Sequence, residues 1–311
     1  MRKFISLLHV AADQQHANLR SGDALTVYAL SAVLLAKTLR RAGYDFALVT
    51  NQPGAIAAAF ETQQIPGCAV IPHTFSLDVP QGIQFYSAHF KLELFGAIAD
   101  GAFGDAVGII DVDGVQLRPF RSPDEPPALS VYDIGAQEFP DYQQDRIRAD
   151  LEAVAGTSLA DARWYGGEYI FGSCDQFATL ADYVARCWPR YRSILGTTHH
   201  VGDEMVTSAA LNLMRLDGVP LADEGARGEV TRWWSARTLL PQMPLRKAKE
   251  TAYLHLPADK EFLAGRARLD FAPETFLDAY QRRTGVRIAV RTVQNLIDRT
   301  RGVRDKFVPA L

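Results

Sequence analysis

Short apolar runs alternate with amphipathic stretches through the first third of the chain, and that alternation leaves few folds open. Lys3 to Val10, Phe46 to Thr50, Cys68 to Ile71 and Ala106 to Ile110 have the length and bulk of buried strands. Between the first two, Ala24 to Arg41 carries apolar residues at helical spacing (Leu25, Tyr28, Leu30, Val33, Leu34, Leu39). That stretch opens on Asp23, an N-cap residue, and stops at Gly43. Ala57 to Thr62 and Ala88 to Ala99 read as shorter helices. A β-α-β-α-β order predicts an α/β fold with a partly parallel sheet and covering helices.

The later chain continues in the same mixture. Ser130 to Ile134 and Ala252 to Leu256 read as strands. Tyr169 to Phe171 reads as a short strand bracketed by Gly166-Gly167 and Gly172. Gln143 to Ala155, Asp175 to Trp188, Glu204 to Leu216 and Phe276 to Arg301 read as helices, the last interrupted at Gly285. Arg118 to Pro127, rich in proline and charge, reads as a loop. The expected organisation is one domain over residues 1–262 and a basic helical extension over residues 263–311.

Composition narrows the class. Hydrophobic residues make up 48% and charged residues 22%, enough for a substantial buried core. The net charge of -3 is unevenly spread. Between Arg282 and Lys306, eight basic residues face only Asp298 and Asp305, so this stretch carries +6 and the remainder -9. A basic end on an acidic body points to peripheral contact with an anionic membrane. The cysteines (Cys68, Cys174, Cys187) are odd in number and lack metal-ligand spacing, which fits a reducing, cytoplasmic setting without disulfides. Arg2-Lys3 before Phe4 to Leu8 imitates a signal peptide, but the apolar run is too short, and His9 and Asp13 break its continuation.

The run Ala106 to Ile110 ends in Asp111-Val112-Asp113 and is succeeded at once by Gly114. A buried strand that carries two carboxylates to its C-terminal tip suits a hard cation and, through it, phosphate. Open α/β sheets bind ligands at that end, and Mg²⁺ or Mn²⁺ accepts a few carboxylates plus phosphate oxygens. Five further stations have chemistry to offer. Asp13 comes after the first strand and can accept hydrogen bonds from a nucleobase or ribose. Lys91 lies on the helix before the Asp111 strand, where a cation can face a diphosphate. In Gly166-Gly167-Glu168 the glycines admit a ligand close to the backbone, and the carboxylate sits on the lip of the next strand. Asp203-Glu204 opens a helix and can hydrogen-bond a sugar. His255, at the end of a late strand, can complete a carboxylate metal site, with Lys260 near enough to neutralise phosphate.

In this order the stations resemble a retaining glycosyltransferase of the GT-A fold. Ala11-Ala12-Asp13, Lys91, Asp111 and Asp113, and His255 with Lys260 after it are similar to the glycogenin and lipooligosaccharide galactosyltransferase family. Asp203-Glu204 before Leu211-Asn212, and the small-residue strand from Gly166 to Gly172, are similar to the blood-group transferase family. The resemblance spans about Phe4 to Lys260. It implies an α/β/α sandwich with a mixed, partly parallel central sheet and a helical C-terminal appendage. It further implies a UDP-sugar donor and a glycan, lipid-linked or other hydroxyl acceptor, with no nucleic-acid partner. Asp111, Asp113 and His255 would hold Mn²⁺ or Mg²⁺, Lys91 and Lys260 would face the diphosphate, and Asp13 the nucleoside. Gly167 and Glu168 would line the sugar and acceptor pocket, and Asp203 and Glu204 would be the catalytic pair, with retention of anomeric configuration.

Ile109 to Val115 also resembles the first motif of haloacid-dehalogenase-like phosphatases, in which Asp111 would be the nucleophile. That motif normally opens its domain, whereas strands and helices precede it here. The family needs a lysine between its first and last motifs, and none occurs between Lys91 and Lys247.

Overall fold

The computed structural model describes residues 2–11, 23–124, 126–135, 144–235 and 243–300. Seven strands form one mixed sheet in the order β3-β2-β1-β4-β7-β6-β8. These are β1 (Lys3–Leu7), β2 (Asp45–Thr50), β3 (Ala69–Pro72), β4 (Ala106–Ile110), β6 (Leu129–Asp133), β7 (Tyr165–Ser173) and β8 (Leu221–Asp223). The half from β3 to β4 is parallel, as the β-α-β rhythm requires. Strand β7 runs antiparallel to both β4 and β6, while β8 lies parallel to β6. A second sheet of three short strands has the order β5-β10-β9, from β5 (Gly114–Gln116), β9 (Val230–Arg232) and β10 (Tyr253–His255).

Period-2 alternation divides the large sheet between two cores. Ile5, Val107, Ile109, Val131 and Ile170 point to one face, under α3 (Lys91–Ala99), α4 (Gln144–Ala155), α5 (Cys174–Ile194) and α6 (Asp203–Leu216). Their chain neighbours Phe4, Ile110, Tyr132, Tyr169 and Phe171 point to the other. That face is covered by α1 (Ala24–Arg41), by α2 (Pro53–Thr62) and by the small sheet, through Val230 and Tyr253. The molecule is therefore α/β, with helices on both faces of a mixed sheet.

The first helix has the predicted limits. Asp23 caps it by accepting from the Leu25 and Thr26 amides, and Gly43 lies just beyond its end at φ +84. Two elements differ from expectation. The strand around Tyr169 is nine residues long, because Gly166, Gly167 and Gly172 lie inside it rather than bracketing it. The final helix, α9 (Pro273–Thr300), runs through Gly285 without a break. The expected division at residues 262/263 falls inside α8 (Lys260–Arg266). Phe276, Ala279 and Tyr280 of α9 share a core with Phe262, Leu263, Leu254 and Leu34. No helix among the described residues is long and apolar enough to cross a membrane. Asp13 and the basic residues Arg301, Arg304 and Lys306 lie outside the described residues, as do the side chains of Arg287, Arg291 and Arg299.

Candidate functional site

Asp111-Val112-Asp113 is the corner by which the chain leaves the large sheet at Ile110 and enters the small one at Gly114. Its backbone is pinned on both sides. The Asp111 amide donates to the Glu168 carbonyl (3.2 Å), and the Asp113 carbonyl accepts from the Leu256 amide (2.8 Å). The Tyr253 hydroxyl donates to the Asp111 carbonyl at 2.6 Å. Gly114 is required here, since a Cβ at that position would collide with the Tyr253 ring. Antiparallel pairing of β5 with β10 sets His255 opposite Gly114, and so beside Asp113.

The side chains converge from five directions. His255 Nε2 lies 3.0 Å from Asp113 Oδ1, and Nδ1 lies 3.1 Å from Glu168 Oε1. Burial alone would lower the His255 pKa, but the two carboxylates reverse that and raise it to about 9. Lys260, opening α8, approaches Asp113 Oδ2 at 2.5 Å and donates to the Pro257 carbonyl. Burial opposes ionisation of Asp113 too, yet Lys260 and His255 hold it well below the usual carboxylate range. Lys91, the first residue of α3, is buried and reaches Asp111 Oδ1 (2.9 Å), Asp203 Oδ2 (3.0 Å) and the Gly167 carbonyl (2.9 Å). Its desolvation is outweighed by the two carboxylates, so it stays charged.

Gly167 is the seam between this cationic half and an acidic one. A Cβ there would strike the Asp203 carboxylate and lie 3.2 Å from both Lys91 Nζ and Glu204 Cγ. Glycine thus lets the start of α6 close onto β7. Glu204 accepts from Trp164 Nε1 (3.1 Å), from the Gly167 amide (3.3 Å) and from Arg232 Nη2. His200 Nε2 stands 3.7 Å away, its ring set edge-on to Trp164 at 4.9 Å. Burial would raise the Glu204 pKa, but Arg232 and His200 lower it, so the group is held as a carboxylate. Behind it, the Tyr191 hydroxyl accepts from the Gly202 amide (2.8 Å) and bonds His89 Nε2 (2.8 Å). His89 Nδ1 faces the Phe85 carbonyl at 3.0 Å, so Nδ1 carries the proton and Nε2 accepts from Tyr191.

Nine of the ten residues expected at the site are brought together: Lys91, Asp111, Asp113, Gly167, Glu168, Asp203, Glu204, His255 and Lys260. The tenth, Asp13, lies outside the described residues. Glu168 differs from its expected place on the lip of a strand. It is wholly buried, with both oxygens bonded to Arg232 and one to His255. Arg232 was not foreseen, because a three-residue strand carries too little period to be read.

The donor set suits a hard divalent ion. Asp111, Asp113 and His255 each offer one atom, all within 4.8 Å of one another. Two carboxylate oxygens and one imidazole nitrogen fit Mg²⁺ or Mn²⁺ with coordination left for phosphate and water. Asp111 is the most open of the three, its side chain 31% exposed against 8% for Asp113 and 4% for His255. No protein-family model matches the chain, and no curated protein matches it in sequence.

Proposed function

We propose that the protein is a metal-dependent glycosyltransferase of the GT-A fold. It would move a sugar from a nucleotide-sugar donor, a UDP-sugar, to an acceptor hydroxyl with retention of configuration. One observation carries this reading: the convergence of Asp111, Asp113 and His255 with Lys91 and Lys260, set against a carboxylate pair across Gly167. A nucleotide-sugar donor asks for both halves, a cationic place for its diphosphate and an anionic one beside its anomeric carbon.

The division of labour derives from charge. When bound by Asp111, Asp113 and His255, Mn²⁺ or Mg²⁺ supplies Lewis-acid stabilisation of the diphosphate. Lys91 and Lys260, fixed by their carboxylate partners, add charge where breaking the anomeric C–O bond loads the leaving group. Glu204 is ionised and oriented by three donors, so it can stabilise an oxocarbenium-like centre and cannot act as the acid. Asp203 serves Lys91, and Asp13 would hold the nucleoside. The acceptor would be a glycan, a lipid-linked glycan or another hydroxyl compound. A cytoplasmic protein whose basic C-terminal segment touches an anionic membrane would meet such an acceptor there.

A haloacid-dehalogenase-like phosphatase is the second reading, and one contact favours it: Lys91, although it precedes the motif in sequence, holds both Asp111, the nucleophile of that reading, and Asp203. It leaves Glu168, Arg232, Glu204 and His255 without work. The separating experiment is incubation with UDP- and GDP-sugars and, in parallel, small phosphomonoesters, in Mn²⁺ or in chelator. Metal-dependent release of UDP or GDP supports the transferase. Release of inorganic phosphate from the monoesters, with the sugar nucleotides untouched, supports the phosphatase.

A further inference from the structure

We propose that Arg232 is a positioning residue: it fixes the Glu204 carboxylate against the anomeric centre, using the buried Glu168 as its anchor. The inference rests on the transferase reading above and deepens it.

The Arg232 guanidinium makes two bonds to one carboxylate and one to another. Nε donates to Glu168 Oε1 at 2.7 Å and Nη2 to Glu168 Oε2 at 2.6 Å, a planar fork on a planar acceptor. Nη2 also donates to Glu204 Oε1. Glu168 cannot move, because it is wholly buried in β7 and its Oε1 also meets His255 Nδ1. The Arg232 amide donates to the Tyr132 hydroxyl at 2.9 Å, which holds the arginine backbone to the large sheet. Asp113, His255, Glu168, Arg232 and Glu204 therefore form one unbroken chain of contacts from the cation end to the sugar end.

Glu204 needs such a brace. It stands in the first turn of α6 on a flexible side chain, and its remaining bonds come from neutral donors, Trp164 Nε1 at 3.1 Å and the Gly167 amide at 3.3 Å, which bind a carboxylate less strongly than a guanidinium does. A misplacement of about 1 Å at a reacting centre costs on the order of 100-fold in rate. Lysine cannot substitute, since one ammonium lacks the fork that spans both carboxylates. An arginine present only to neutralise buried Glu168 would need the fork alone. The third bond, to Glu204, goes beyond that need.

The test measures UDP release from UDP-galactose and UDP-glucose by the full chain in Mn²⁺, together with UDP affinity by calorimetry and thermal melting. A wild-type protein that binds UDP but releases none from any sugar nucleotide overturns the transferase reading and this inference with it. With wild-type turnover in hand, Arg232→Lys is expected to lower kcat about 100-fold while KM and UDP affinity stay within about threefold. The double variant Arg232→Gln with Glu168→Gln leaves no charge at the wholly buried position 168 without its guanidinium, so it reports on the positioning of Glu204 even if Arg232→Gln alone unfolds. It too is expected to bind UDP and to turn over about 100-fold slower. Either variant folding, binding UDP and keeping kcat within about threefold of wild type would reduce Arg232 to a structural counter-ion and overturn the proposal.

Discussion

Asp113 carries more of the site than any other side chain, since His255 and Lys260 both close on it and both are buried. Asp113→Asn keeps its shape and removes its charge. It is expected to cut metal-dependent turnover by about 1,000-fold or more, with a cooperative melt retained, as read by UDP release and calorimetry. Charge at the other end has a pH signature. Burial works against ionisation of Glu168 and Glu204, but Arg232 outweighs it, so both bind protons more weakly in the folded chain than in the unfolded one. Their contribution to stability is present above the ordinary carboxylate pKa of about 4.3 and is lost as pH falls through the lower folded values. The melting-temperature gap between wild type and Arg232→Gln should therefore be wide at neutral pH and shrink progressively as pH falls below about 4.3 toward the lower folded values. A gap that did not change with pH would mean that Arg232 acts through packing alone. At this scale the sequence was unusually legible for acids and lysines, because strand tips and helix starts mark where charge can cluster. Arg232 was not legible as a site residue, since nothing local separates an arginine after Val230-Thr231 from a surface one.

Elements were readable where their period was long. The first helix and β4 have the limits their patterns predict. The strands β5, β8 and β9 were missed, each only three residues long and defined by its partners rather than by its own sequence. Gly285 stands in helix because a single glycine costs only about 1 kcal/mol there, and the helix around it is already anchored by Phe276 and Tyr280. The element on which the proposed chemistry leans most is the start of α6, which presents Asp203 and Glu204. The chain reaches it through Gly202, whose amide is held by Tyr191, itself tied to His89 on the turn before α3. Tyr191→Phe removes both bonds and leaves buried polar groups behind. It should cost about 1–3 kcal/mol of stability by denaturant melts. It should also lower kcat more than UDP affinity, because Lys91 and the Asp111 corner are untouched.

Across the whole molecule, the two sheets meet at the Asp111 corner, and the small sheet delivers His255 and Arg232 from strands far apart in sequence. Local patterns cannot announce such long-range assembly. The C-terminal helix joins this assembly: Tyr280 donates to buried Asp259 at 2.8 Å, next to Lys260. Truncation before Pro273 should therefore abolish soluble folded protein, whereas truncation after Val286 should keep the fold. If the basic segment contacts membranes, the shorter cut should also remove salt-sensitive binding to anionic vesicles, measured by co-sedimentation. Equal binding by the truncated chain would discard the membrane contact. The central claim, a divalent ion at Asp111, Asp113 and His255 that receives a nucleoside diphosphate, is tested most directly by calorimetric titration of UDP into the wild-type protein in Mn²⁺ and in chelator. The account predicts binding in Mn²⁺ that is lost in chelator and lost in Asp113→Asn; equal affinity in all three would contradict it.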